Sequence, residues 1–183
     1  MSEEMLVCHC SPTLAGLKTG SLFSCPYSSQ KMIIKEIREF NQKLTQKGIR
    51  IIPVRISDKR MLVYVYRPEK LKEDFSDEKT QIILKCKGYD CSNLSQCICR
   101  LIQKLQSDPD FPHEIGLFLG YPAEDVKGFI ENKAACSKCS GCWKVYGDEQ
   151  AARILFKKYK KCTEIYHRKW ESGVAVEQLT VTI

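Results

Sequence analysis

The chain has 183 residues, 43% of them hydrophobic and 28% charged, and its 29 basic and 22 acidic side chains leave a net charge of +7. These proportions belong to an ordinary globular protein and exclude a collagen-like rod or a disordered tail; no apolar run approaches the roughly 18–20 residues that cross a bilayer. The length suits one domain with a sizeable core, and the acidic start Met1-Ser2-Glu3-Glu4 leads into no apolar leader, which places the expected protein in the cytoplasm.

The first strong pattern runs from Ser28 to Gly48, where Ile33, Ile37, Phe40 and Leu44 recur at helical spacing, Ser28 or Ser29 can cap the start and Gly48 suits the stop. Arg50–Ile56 and Met61–Tyr66 then read as strands joined by the polar link Ser57–Arg60, an antiparallel hairpin whose Pro53 favours a sheet edge. Pro68 opens a helical stretch reaching about Lys87, and Gly88-Tyr89-Asp90 is a turn. A helix from about Ser92 carries Leu94, Cys97 or Ile98, Leu101 and Leu105 on one face and is broken by Asp108–Pro112. Glu114–Leu119 reads as a buried strand, and Pro122 with Glu124 and Asp125 starts the next helix, because acidic groups suit its N-terminal end.

Trp143–Tyr146 reads as a short strand. The last long helix, about Glu149 to Trp170, places Ala152, Leu155, Tyr159, Cys162 and Tyr166 on one stripe, with a strand expected in the tail 174–183. Together these elements predict a single α/β domain over residues 1–183, with a mixed β-sheet, a β-hairpin and flanking helices.

Eleven of the 183 residues are cysteine, about 6%, which is above ordinary usage and below the ~8–10% of a disulfide scaffold. A reducing compartment keeps them as thiols. The pattern with its own chemistry is Cys136-Ser-Lys-Cys139-Ser-Gly-Cys142: two-residue spacers let thiolates curl around an iron–sulfur cluster or a zinc ion, or let two of them form a redox disulfide. The Cys-Pro that completes a ferredoxin-type loop is missing, so a fourth ligand would come from Cys162, Cys10, Cys8 or a histidine. Cys97 and Cys162 lie on apolar stripes, where a thiol packs as a small hydrophobe.

His113-Glu114 pairs an acid–base group with a carboxylate, but the metalloprotease pattern needs a second histidine where Leu117 stands. Seven basic residues between Arg153 and Lys169 face a single acid, Glu164, as a solvated helix face does. With no nucleic-acid-binding motif and no phosphate-cradling glycine loop, nucleic acid is not an expected partner, and neither is a membrane.

The run Phe111-Pro112-His113-Glu114-Ile115-Gly116-Leu117-Phe118-Leu119-Gly120-Tyr121-Pro122 continues into Glu124-Asp125-Val126 and Gly128-Phe129-Ile130. Together with Gly141-Cys142-Trp143-Lys144-Val145-Tyr146 and the segment Cys10–Lys18, it resembles a family of uncharacterised bacterial proteins of unknown function. The resemblance covers nearly the whole chain. It implies that Lys18, His113, Glu114, Tyr121, Trp143 and Lys144 belong to a recurrent site or a recurrent structural joint. The three-cysteine loop is not an obligatory part of that pattern, which confines a metal role there to this protein and its near relatives.

Two functional readings follow. In one, a metal- or thiol-dependent accessory protein handles electrons or iron through Cys136, Cys139 and Cys142, working with a redox partner protein. In the other, a small-molecule binder or enzyme has a pocket in which Lys18 and Lys144 hold an anion, Tyr121 and Trp143 line the wall, and His113 with Glu114 moves a proton.

Overall fold

The computed structural model describes residues 1–107 and 110–182, so Asp108 and Pro109 of the expected helix break lie outside the described residues. Its packing divides the chain into two compact units, one made of residues 1–69 and 159–183 and the other of residues 70–158.

The first unit opens with helix α1 (Glu3–Leu14), which no periodic apolar face in the sequence predicts. Ser2 accepts the Met5 amide at its N-terminus, Glu3 and Glu4 suit the positive end, and Pro12 falls in the last turn. Strand β1 (Gly20–Pro26) follows, likewise without a clear pattern in the sequence. Helix α2 (Gln30–Leu44) buries Ile33, Ile37 and Leu44 as expected, then tightens into a 3-10 turn at Thr45–Lys47 and stops at Gly48. The Ser29 side chain makes no capping bond.

Strands β2 (Arg50–Ile56) and β3 (Arg60–Tyr66) form the expected antiparallel hairpin, and β1 adds to the other side of β3, giving the order β1-β3-β2. Gly20 pairs with Tyr66 and Pro26 with Arg60. Pro53 does lie on an edge strand, and the register shifts between Pro53 and Arg55. That edge is covered by Asn41 of α2, whose side chain donates to the Ile51 carbonyl at 2.7 Å and accepts the Ile51 amide at 2.9 Å. All strand pairs among the described residues are antiparallel, so helices and strands are mixed but the sheet itself has one sense of pairing. Leu6, Val7 and Leu14 of α1, the inward residues of the sheet and α2 form one apolar core.

The second unit follows α3 (Pro68–Asp74), which straddles the division, with α4 (Glu78–Cys86) and α5 (Leu94–Ser107). Asp77 caps α4 by accepting the Thr80 amide at 2.9 Å, and α5 buries Cys97, Ile98, Leu101 and Leu105. The expected strand at Glu114–Leu119 is instead a single helical turn, α6 (Ile115–Phe118). Leu119 returns its amide to the carbonyls of Ile115 and Gly116, Gly120 to that of Leu117 and Tyr121 to that of Gly116, so the apolar run closes on itself. A short buried run does not distinguish helix from strand by its pattern alone.

Helix α7 (Ala123–Asn132) starts behind Pro122, and the ribbon β4 (Cys139–Ser140) and β5 (Lys144–Val145) carries the cysteine loop. Helix α8 (Glu149–Glu171) begins after Asp148, which accepts the Ala151 amide, and continues into the residues of the first unit. Among the described residues of the tail, α9 (Val176–Leu179) stands in place of the expected strand, and the Val181 amide bonds the Leu14 carbonyl at 3.0 Å; Ile183 lies outside the described residues.

Candidate functional site

The signature residues of the second unit build outward from Asp125. It sits in the first turn of α7, 3% exposed, where the helix N-terminus favours a negative charge. Its Oδ1 accepts the amides of Tyr146 and Gly147 at 2.7 and 2.8 Å, and its Oδ2 accepts the indole N–H of Trp143 at 2.7 Å. One buried carboxylate therefore fixes the end of the β5 ribbon against α7.

Around this bond set the aromatics close. Tyr121 stacks on Trp143 at 4.6 Å and donates its hydroxyl to the Cys142 carbonyl at 3.3 Å, while Phe156 of α8 meets Trp143 edge-on at 4.6 Å. Two glycines make the approach possible. A Cβ on Gly128 would lie 2.4 Å from the Tyr146 ring, and one on Gly141 would lie 2.3 Å from that of Phe156.

The cysteine loop hangs on this base. Lys133, Ala134 and Cys136 all adopt positive φ, at 46°, 70° and 58°, a conformation costly for residues with a Cβ. Lys144 holds this turn by donating from Nζ to the Ala134 carbonyl at 2.9 Å, and Lys138 donates to the Gly147 carbonyl at 2.6 Å. Cys136 and Cys142 are exposed and Cys139 is half-buried; none of the eleven cysteines is in a disulfide. Among the described residues no group of three or more His, Cys, Asp or Glu side chains is disposed to hold a metal ion. Of the proposed fourth ligands, Cys10 is fully buried in α1, with burial pushing its thiol up to about 12 against the opposing pull of Lys18 and Ser21. Burial likewise raises Cys162 to about 11, and Cys8 is exposed on the far side of α1 from Cys10.

The remaining signature residues have separate partners. Glu114, 3% exposed, accepts the Tyr89 hydroxyl at 3.1 Å and the Lys104 ammonium at 2.7 Å. Burial alone would raise its carboxyl, but the bond from Lys104, helped by its charge and by Tyr89, holds it below the usual carboxylate range. Lys104 also donates to the Lys87 carbonyl at 2.8 Å and lies 4.8 Å from the centre of the Tyr89 ring. His113 is exposed and meets Phe129 edge-on at 4.9 Å. Lys18, in the first unit, is half-buried, and its amide donates to the Pro12 carbonyl at 3.1 Å. The structure thus brings Tyr121 and Trp143 together and engages Glu114 and Lys144 in different bonds.

A cleft lies on the other side of α7. Lys79, Ile82, Ile83 and Cys86 form an i, i+3, i+4, i+7 stripe on α4, opposite Ala123, Lys127, Ile130 and Glu131 of α7, around a space of about 460 Å³. A more polar recess of about 340 Å³ shares Lys79, Ala123 and Glu124 with it and reaches Tyr121, Asp77 and Thr80. Of the residues lining the cleft and the recess, the sequence assigns only Tyr121 to a candidate site. A signal was present: Ile82, Ile83 and Leu84 are consecutive on a short helix and cannot all face the core, so Leu84 is buried while Ile82 stays 55% exposed.

No helix among the described residues is long and apolar enough to cross a membrane. No curated protein and no solved structure matches the chain. The profile of the family described as "Protein of unknown function (DUF3793)" matches residues 6–180. The match spans both units and nearly every residue discussed above, and the chain belongs to that family.

Proposed function

We propose that the protein binds a small amphipathic anion, an apolar chain ending in a carboxylate, in the cleft between α4 and α7. The observation that carries this reading is the cleft itself: isoleucines 82, 83 and 130 line a space of ligand size, and the rim holds three lysines, 79, 87 and 127, against the two carboxylates Glu124 and Glu131. Burying the chain against the isoleucines supplies the affinity, at roughly 25 cal/mol per Å² of apolar surface. The lysine excess selects the sign of the head group. The pocket differs from the one built on Lys18, His113, Glu114 and Lys144, several of which are engaged elsewhere.

Cys86 lines the same cleft and reports on it. Decanoate is expected to slow alkylation of Cys86 several-fold while leaving that of Cys136 and Cys142 unchanged, and decyltrimethylammonium to have no effect. The exposed substitution Ile82→Glu should abolish the protection. A Cys86 rate that decanoate leaves unchanged up to the millimolar range would overturn the reading.

A second reading, a thiol-dependent accessory protein, is favoured by the cysteine ribbon: exposed thiols on a strained turn held by Lys138 and Lys144, with the Arg153 charge acting on Cys139. Glu149 first and the Cys139 thiol after it hold the Arg153 guanidinium above its ordinary value. Iron, zinc and acid-labile sulfide on anaerobically purified protein test the cluster and zinc variants of this reading. Metal content that survives conversion of all three cysteines to serine removes the loop as its ligand.

A further inference from the structure

A different pair of thiols, in neither the cleft nor the ribbon, is placed to react together. Cys91 lies in the turn that precedes α5, and Cys97 lies in the first turns of that helix. The turn is tightly defined. Asp90 accepts the Ser92 amide at 3.0 Å, and Asn93 caps α5 by accepting the amides of Ser95 and Gln96 at 2.9 and 3.2 Å. This winding carries the Cys91 side chain back over the helix start, where the two thiols are in hydrogen-bond contact. The Cys97 Sγ also lies 2.9 Å from the Asp90 carbonyl. Cys97 is fully buried and Cys91 is half-exposed.

We infer that Cys91 and Cys97 form a thiol–disulfide exchange site, with Cys91 as the attacking sulfur and Cys97 as the resolving one. The roles follow from access and from where the shared proton rests. Cys91 is the sulfur a solvent-borne disulfide can reach. Burial raises both thiols, Cys97 up to about 12 with the neighbouring Cys91 adding to it, whereas the bond from Cys97 pulls Cys91 back down, so the thiolate forms on Cys91 first.

The co-reactant is a low-molecular-weight disulfide of the glutathione type. The Cys91 thiolate attacks one of its sulfurs, forming a mixed disulfide and releasing one small thiolate. Cys97 then gives up its proton and attacks the Cys91 sulfur, forming the Cys91–Cys97 bond and releasing the second small thiol. Two protein thiols are oxidised and one small disulfide is reduced to two thiols. The new bond removes the donor from the Asp90 carbonyl and fastens the turn carrying Tyr89, the partner of Glu114 and Lys104, to α5.

Cleavage after Lys87 and Arg100 releases one peptide, Gly88–Arg100, containing Cys91, Cys97 and Cys99. The full chain is equilibrated with oxidised glutathione, quenched with acid, alkylated under denaturing conditions and mapped by mass spectrometry. The expected peptide has lost two hydrogens and carries one alkyl group, on Cys99. The loss persists in Cys99→Ser and disappears in Cys91→Ser. Because Cys97 is buried, Cys97→Ser is checked for folding by circular dichroism. If folded, it should stop at glutathione on Cys91; if not, the two exposed-site variants decide the matter alone. A wild-type peptide that still takes three alkyl groups, or one that carries glutathione on Cys99 with both other thiols alkylated, overturns the proposal.

Discussion

Each unit is fastened by one buried charge that has no opposite charge among its hydrogen-bond partners. In the second unit Asp125 gathers two amides and an indole N–H at the start of α7. In the first, Arg67, 2% exposed, donates from Nε to the Thr13 carbonyl and from its terminal nitrogens to the carbonyls of Leu14, Lys47 and Val181, at 2.7 to 3.1 Å. The anion sits at a helix N-terminus and the cation at the C-terminal carbonyls of α1, so in both cases the helix dipole replaces a counter-ion.

The difference lies in what is tied. Asp125 binds residues about twenty positions ahead and fixes one ribbon, whereas Arg67 holds α1, the turn after α2 and the tail of the chain at once. A buried charge is tolerable when every hydrogen-bonding atom is satisfied, and the damage from removing it scales with the partners stranded.

The largest effect is therefore expected at Arg67. Arg67→Met strands the Lys47 and Val181 carbonyls, those of Thr13 and Leu14 keeping the Gly16 and Val181 amides, and should cost about 3–5 kcal/mol in urea unfolding, with hydrogen exchange accelerating mainly in residues 1–69 and 159–182. A loss below about 1 kcal/mol would mean that water replaces the guanidinium at little cost, and the comparison would fail on that side.

Asp125→Ala, which removes the acceptor of all three N–H groups, comes next, at about 2–3 kcal/mol. It should free the Tyr146 and Gly147 amides to exchange and shift the Trp143 fluorescence to the red. Unchanged exchange there would reduce Asp125 to a helix-end charge.

Glu114 gives a smaller effect that depends on pH. Its folded carboxyl titrates below the usual value of 4.5, so its contribution is complete above the ordinary carboxylate range and lost as pH falls through the depressed folded value. Glu114→Gln should cost about 1–3 kcal/mol near neutral pH, and its stability gap from wild type should narrow below about pH 4.5. A gap independent of pH would assign the cost to packing.

The smallest effect concerns Tyr146, whose buried hydroxyl finds no hydrogen-bond partner among the described residues. Tyr146→Phe should be neutral or slightly stabilising, while a loss above about 1 kcal/mol would reveal an ordered water there.

Much of the fold was legible where one periodic face meets one core. Ile33, Ile37 and Leu44 marked α2, Leu101 and Leu105 marked α5, and the two strand-like runs on either side of the polar link Ser57–Arg60 marked the hairpin. It failed where burial was not apolar. Helix α1 buries Ser11, Pro12 and Thr13 alongside Leu6 and Val7, and β1 turns Ser21 inward to meet Thr13 at 2.9 Å, so neither shows a clean stripe.

The candidate site was legible in part. Trp143 and Tyr121 stood out through their sequence context, but the role of Asp125 depends on amides brought to it by folding, and Arg67 is a lone basic residue between a strand and a helix. The cleft left only the surplus isoleucines of α4 as a trace.

One helix, α7, separates the two roles assigned to this region: Asp125 and Gly128 face the ribbon, while Lys127 and Ile130 face the cleft. Amide chemical-shift mapping during a decanoate titration tests that separation directly. The account predicts saturable shifts at Ile82, Ile83, Ala123, Lys127 and Ile130, with His113, Lys144 and Cys136–Cys142 unmoved. Shifts centred on Lys18, His113 and Lys144, or none at all, would contradict it.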